Sequence, residues 1–267
     1  MQLPENRFKQ ALNEGRQQIG LWCALSSSYA AEVVAGSGFD WLLFDTEHSP
    51  SNVEIVLGLL QAVSAYDVSP IVRPASNDTV LIKRYLDIGV QTLLIPYVQS
   101  AEEARSAVAA IRYAPDGVRG VSALTRATRF GRVEGYARRA ADELCLLVQI
   151  ETQQALDELE AIAAVDGVDG IFIGPADLAA SLGHVGDQGH PDVKAAVEDA
   201  VRRIRACGKP AGILTGDTVF AQRCIEIGTT FTAVGVDLGV LARGTEKLAR
   251  QFQAEDTSSP HSVANAR

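Results

Sequence analysis

The chain has 267 residues, 47% of them hydrophobic and 21% charged, with a formal net charge of −9; this is the make-up of a soluble globular protein large enough to bury a substantial core. The negative balance disfavours a polyanionic partner such as nucleic acid, and no run approaches the ~18 consecutive apolar residues of a membrane helix. The N-terminal MQLPENRFKQ lacks the charged-then-apolar order of a signal peptide, so a cytoplasmic protein is expected.

Short apolar, β-branched runs recur along the chain, each followed by a helix-like stretch. In order they are IGLWCAL (19–25), FDWLLFDTE (39–47), PIVRPA (70–75), TLLIPYV (92–98), LCLLVQIET (144–152), GIFIGPAD (170–177), PAGILTGD (210–217) and FTAVGVDLG (231–239). Continuous apolar strands joined by amphipathic helices predict parallel strands covered on both faces. Eight such units match a (β/α)8 TIM barrel better than an open dinucleotide-binding sheet, and ALSSSYA stands where that sheet would carry its glycine fingerprint. The predicted domain covers 1–252, and a polar tail of weak periodicity occupies 253–267. Cys23, Cys145, Cys207 and Cys224 form no CxxC pair, so they read as buried thiols, not as zinc ligands or disulfides.

One connection is too long for a simple barrel loop. Residues 112–140 carry seven arginines (Arg112, Arg119, Arg126, Arg129, Arg132, Arg138 and Arg139) against Asp116 and Glu134. A solvated helix and subunit-interface pairing is the plain reading; the alternative brings some of Arg119, Arg126 and Arg129 to the barrel mouth to attract acidic ligands.

Chemistry in such barrels sits at the C-terminal ends of the strands, and there the polar residues fall. Strand two ends in Asp45, Glu47 and His48, strand three in Arg73, strand five in Gln149 and Glu151. Strand six runs into Asp177, strand seven into Thr215 and Asp217, strand eight into Asp237. Each has a structural explanation alone: Asp177 as a helix cap, Glu151 beside a helix N-terminus, Arg73 in a buried ion pair, His48 in a surface loop. Their convergence on one mouth is what points to a site. Gln149 and Glu151, two apart on a strand, face the same way. Carboxylates without a thiolate beside them suit a hard divalent cation such as Mg²⁺ or Mn²⁺. An arginine there suits an anionic oxygen, and His48 suits proton transfer near neutrality.

DTEHSP, VRPASND, GVRGVS, LVQIET, GVDGIFIGPADLAASLG and AVGVDLGVLARG together resemble the HpcH/HpaI family of metal-dependent pyruvate aldolases, over residues 6 to 252. The resemblance implies a barrel of the pyruvate/phosphoenolpyruvate type, its last helix exchanged between subunits of a homo-oligomer, usually a hexamer built as a dimer of trimers. It implies Glu151 and Asp177 as ligands of a divalent cation (Mg²⁺, Mn²⁺ or Co²⁺), Arg73 as the group that stabilises a pyruvate enolate, and His48 as the base. Gln149 and Gly174, Pro175 and Ala176, with Asp177, match the pyruvate-binding positions; Leu214 and Val236 line the aldehyde side. The acid that supports the histidine matches Asp87, with Asp45 as a second candidate and Glu47 as structural. Thr46 replaces a smaller residue common in relatives. The implied reaction is reversible cleavage of a 4-hydroxy-2-oxo acid to pyruvate and an aldehyde through a metal-held enolate.

Three rivals stand beside it. A Schiff-base aldolase needs a lysine in the barrel, and none of Lys9, Lys83, Lys194, Lys209 and Lys247 ends a predicted strand. The same enolate also serves oxaloacetate decarboxylation or cleavage of a coenzyme A ester. A non-catalytic metabolite-binding barrel would be expected to lack Glu151, Asp177 or Arg73, and all three are present.

Overall fold

The structure is a computed structural model and describes residues 1–253. The tail predicted over 253–267 lies outside the described residues except for Gln253, which ends the last helix. Eight strands close a barrel in sequence order, and every neighbouring pair is parallel. They are β1 (Gln18–Cys23), β2 (Trp41–Asp45), β3 (Ser69–Arg73), β4 (Thr92–Ile95), β5 (Cys145–Ile150), β6 (Gly170–Ile173), β7 (Ala211–Leu214) and β8 (Thr229–Val236). Helix α1 (Arg7–Asn13) precedes β1; α2 (Ser28–Ala35), α3 (Val53–Ala62), α4 (Thr79–Asp87) and α5 (Ala101–Ile111) follow the first four strands. The long connection after α5 ends in α6 (Tyr136–Glu143), and α7 (Gln153–Asp157), α8 (Leu159–Ala163), α9 (Pro175–Ser181), α10 (Pro191–Ala206), α11 (Thr218–Ile227) and α12 (Asp237–Gln253) complete the ring. Each predicted strand is present. The last differs most: β8 starts two residues earlier than expected and stops at Val236, because Asp237 opens α12.

Helix starts are written locally. Ser27, Asn52, Asp78, Ser100, Thr152 and Asp217 each cap the following helix with a side-chain oxygen that accepts a first-turn N–H. That satisfies donors the helix cannot use itself. No helix among the described residues is long and apolar enough to cross a membrane.

Strand parity divides the core in two. Outward residues such as Leu42, Phe44, Val72, Val148 and Ile171 pack beneath the helices. Inward residues fill the barrel: Trp22, Trp41, Leu43, Ile71, Leu94, Leu147, Phe172 and Phe231. Helix α1 plugs the bottom by inserting Phe8, edge-on to Trp41 (6.1 Å) and Phe231 (5.9 Å). The fit depends on absent side chains at two positions. A Cβ on Gly20 would lie 2.2 Å from the Trp41 ring, and one on Gly212 would lie 2.1 Å from Phe231. Following the same inward parity upward, Asp45 succeeds Trp41 and Leu43, Arg73 succeeds Ile71, and Gln149 succeeds Cys145 and Leu147.

Two peripheral expectations change. Cys23, Cys145 and Cys224 are buried as predicted, but Cys207 is exposed. In the arginine-rich connection, Arg119 turns inward: it is buried between the faces of Tyr113 (4.5 Å) and Tyr136 (5.7 Å).

Candidate active site

The sequence-predicted residues meet at the C-terminal mouth of the barrel. A cavity of about 600 Å³ there is lined by His48, Arg73, Gln149, Glu151, Gly174, Pro175, Ala176, Asp177, Leu214 and Val236. Trp22 and Phe172 form part of its floor, and Gln188, Thr215, Val240 and Arg243 part of its rim. A smaller cavity, about 230 Å³, opens between Pro4, Val63 and Tyr136, away from these groups.

Register creates the first element of the site. In the β2–β3 ladder, Asp45 is the direct partner of Arg73. Arg73 accordingly grips the Asp45 carboxylate with two donors, Nε to Oδ1 at 2.9 Å and Nη2 to Oδ2 at 2.8 Å. Burial raises the Asp45 carboxyl, but the hydrogen bonds and charge of Arg73 outweigh it and hold the group below its ordinary range. The guanidinium also lies over Trp22, 4.8 Å from the ring centre, so its orientation is fixed from below and beside.

Glu47 is the residue the sequence undervalued. Its Oε2 lies 2.9 Å from Arg73 Nη1 and 3.9 Å from His48 Nε2. The contact with Arg73 is close but out of line, so this buried oxygen has no aligned hydrogen-bond donor. Burial pushes the Glu47 carboxyl up, opposed by the charge of Arg73. Glu47 therefore joins Arg73 to His48, a link invisible without the turn after β2.

Asp87, the acid the resemblance assigns to His48, has a different partner within the described chain. Within the chain, Asp87 faces Arg119 at 3.5 Å, and Asp45 is committed to Arg73 and to the Glu47 N–H. The described carboxylate facing His48 is Glu47. The arginine alternative is corrected as well: none of Arg119, Arg126 and Arg129 lines the mouth. Arg126 instead donates to the Ile88 carbonyl at 2.8 Å.

Glu151 accepts hydrogen bonds from the Gln149 side chain and from the Tyr97 N–H at 2.9 Å. To aim that N–H, Tyr97 adopts φ 55, a left-handed conformation costly for a side-chain-bearing residue. Burial, reinforced by the charges of Asp177 and Glu47, pushes the Glu151 carboxyl up to about 7 against these bonds. Gly174 gives the group its room, since a Cβ there would lie 2.4 Å from Glu151 Oε2. Asp177 does not cap α9; Gly174 holds the cap position and Asp177 lies in the first turn. Asp217 and Asp237 are structural: Asp217 caps α11, and Asp237 accepts the N–H groups of Ala24 and Leu25.

The deep end thus gathers Glu47, Glu151 and Asp177 around one arginine already paired with Asp45. Glu47 Oε2 and Gln149 Oε1 are buried without hydrogen-bond partners. This excess of hard oxygen donors fits a divalent cation. Elsewhere His184, His190 and Asp192 also lie close together. Those two imidazoles stack face to face at 3.6 Å, so their in-plane lone pairs do not converge on one point.

The model of HpcH/HpaI aldolase/citrate lyase matches residues 18–244, from the first strand into the last helix. The chain belongs to the HpcH/HpaI aldolase/citrate lyase family. It is 71% identical over 252 residues to a pyruvate aldolase of Rhizobium etli, covering 94% of this chain and 99% of that one. It is 56% identical over 256 residues to the 4-hydroxy-2-oxo-heptane-1,7-dioate aldolase of Salmonella dublin, covering 96% and 97%. Among solved structures, an HpcH/HpaI aldolase/citrate lyase family protein from Burkholderia cenocepacia superposes with TM-score 0.89 at 39% identity, covering 92% and 98%. In this HpcH/HpaI member no lysine lines the mouth among the described residues, so the site lacks the nucleophile of a Schiff-base aldolase.

Proposed function

We propose that the chain is a divalent-cation-dependent aldolase that reversibly cleaves a 4-hydroxy-2-oxo acid to pyruvate and an aldehyde. The observation that carries this reading is the deep end of the mouth: Glu151 and Asp177 lack a cationic side-chain partner, beside a buried arginine fixed by Asp45 and Trp22.

Glu151 and Asp177 would hold the cation, with the Gln149 carbonyl and Glu47 as nearby oxygen donors. When bound, the cation supplies Lewis-acid polarisation of the 2-oxo group. Gly174, Pro175 and Ala176 form the wall against the pyruvate half. His48 takes the proton of the C4 hydroxyl, the C3–C4 bond breaks, and the new aldehyde leaves. The bonding pair runs to the C2 oxygen, where Arg73 faces the growing negative charge. Because Asp45 and Trp22 lock that guanidinium beforehand, it needs no reorganisation as charge develops. Protonation at C3 yields pyruvate, balancing the proton lost from the hydroxyl. Glu47 bridges Arg73 and His48 and would favour the imidazolium formed in this step. The homo-oligomer and the exchange of the last helix belong to the same reading.

The direct test is pyruvate release from 4-hydroxy-2-oxoheptanedioate. Release should fall at least a hundredfold after chelation and return with Mn²⁺ or Mg²⁺. Turnover indifferent to chelator, or a borohydride-stable adduct with pyruvate, would reject the proposal.

A further inference from the structure

The smaller cavity, of about 230 Å³, lies at the end of the barrel opposite the mouth. Val68, Gln91 and Leu144 line it, and each is the residue just before a strand, β3, β4 and β5 in turn. Leu60, Val63, Val90 and Leu144 give it a buried apolar wall. Two arginines of the long connection, half-buried Arg126 and exposed Arg129, line it as well. Arg126 donates to the Ile88 carbonyl at 2.8 Å, and Gly89 leaves room for this, since a Cβ there would lie 2.9 Å from Arg126 Nη1. Burial, then the charge of Arg129, pulls the Arg126 guanidinium below its ordinary range, and no carboxylate opposes them among the described residues. The one carboxylate lining the cavity there, Glu143, accepts the Asn6 N–H at 2.6 Å. The backbone is strained at the same place: Arg129 (φ 51) and Phe130 (φ 57) are both left-handed, in a turn closed by the Phe130 N–H on the Thr125 carbonyl at 2.8 Å. Such a conformation is costly for residues with side chains, and here it holds two like charges near each other.

We propose that this cavity is a second ligand site, separate from the mouth, for a small organic carboxylate with an apolar body. The carboxylate would lie between Arg126 and Arg129, and the body against Leu60, Val63, Val90 and Leu144. Charge and surface argue for that class together. A guanidinium binds a carboxylate through two parallel N–H donors, and an anion here relieves the repulsion between the two arginines. A purely inorganic anion would leave the apolar wall wet, and a neutral hydrocarbon would leave both cations unopposed. The volume admits a single ring or a short chain, not a nucleotide. The arginine turn is fastened to the end of α4, by Arg126 on Ile88 and by the Ala127 N–H on the Asp87 carbonyl at 3.1 Å. An occupant would tighten that fastening without entering the mouth.

The test is calorimetric titration of the metal-free protein with benzoate, its neutral counterpart benzamide, and inorganic phosphate. Benzoate should bind once per chain with a Kd of about 1 mM or below. Benzamide and phosphate should each bind at least about tenfold more weakly, one for want of charge and the other for want of an apolar body. Arg129 is exposed, so Arg129→Gln should fold, as circular dichroism would check, and should weaken benzoate about tenfold. The double variant Arg126→Gln/Arg129→Gln should abolish binding. Benzoate should also slow amide hydrogen exchange over residues 125–133 and leave the mouth unchanged. Benzoate affinity unchanged within twofold in Arg129→Gln, or exchange slowed only at the mouth, would place the binding elsewhere and overturn the assignment. No heat of binding up to about 20 mM benzoate, far above the expected Kd, rejects the site outright. Phosphate binding as tightly as benzoate would reject the apolar body. None of these outcomes bears on the aldolase reading, which pyruvate release tests separately.

Discussion

At the scale of single residues, Glu151 is an acid whose charge the metal-free fold disfavours. Its folded value of about 7 exceeds the ordinary 4.5 because burial penalises the carboxylate. The native state therefore holds the proton more tightly than the unfolded chain. That contribution to stability is complete below about 4.5 and is lost as pH rises through about 7, by at most about 3 kcal/mol. For metal-free protein, the melting temperature should decline relative to Glu151→Gln over this interval by about 5–10 °C. Scanning calorimetry of both proteins at pH 4.5 and 7.5 checks it, and parallel curves would show that Glu151 does not carry the penalty. Added Mn²⁺ should stabilise the unmodified protein more at the higher pH, since the ligand must be ionised to bind. Glu151 and its neighbour Gln149 were legible from alternation alone, because two residues apart on a strand share a face. Glu47 was not: its alternation matches Asp45, but its contact with Arg73 and His48 depends on a turn whose path no spacing encodes.

At the scale of elements, α12 presents two different faces. Gly239, Val240 and Arg243 look into the mouth. Leu238, Leu241, Leu248 and Phe252 follow one another at helical spacing on the other side, and all four are exposed. Asp237 is the helix's one buried residue. An apolar stripe of this kind on a helix calls for a covering surface, and a second copy of the chain is the proposed one. The double variant Leu241→Asp/Leu248→Asp should run as a smaller assembly than the unmodified protein by light scattering, with the same helical content. An unchanged mass would remove α12 from the interface. The sequence showed the amphipathic stripe only weakly, because the same segment begins as an apolar continuation of β8. Its predicted strand therefore ran past Val236, and Arg243, although inside the quoted AVGVDLGVLARG, was given no role.

At the scale of the whole molecule, eight apolar runs with helical connections, and no glycine fingerprint after the first, were enough to favour the barrel over an open parallel sheet. The arginine-rich connection resisted the same treatment. Composition located its charge but could not show that Arg119 would fold under Tyr113 and Tyr136, nor that Asp87 would turn towards it. The α1 plug has a kinetic meaning. With Phe8 seated against Trp41 and Phe231, the barrel is a blind tube, and both halves of a cleaved molecule must leave through one doorway. The fragment nearer the doorway departs first, and the deeper one is trapped until it has gone. With pyruvate at the bottom, pyruvate should inhibit cleavage competitively against substrate, while the aldehyde should inhibit noncompetitively. Initial-rate measurements with each product decide it, and competitive inhibition by both would mean that the halves pass one another freely. The stopper at one end of the barrel thus sets the order of events at the other.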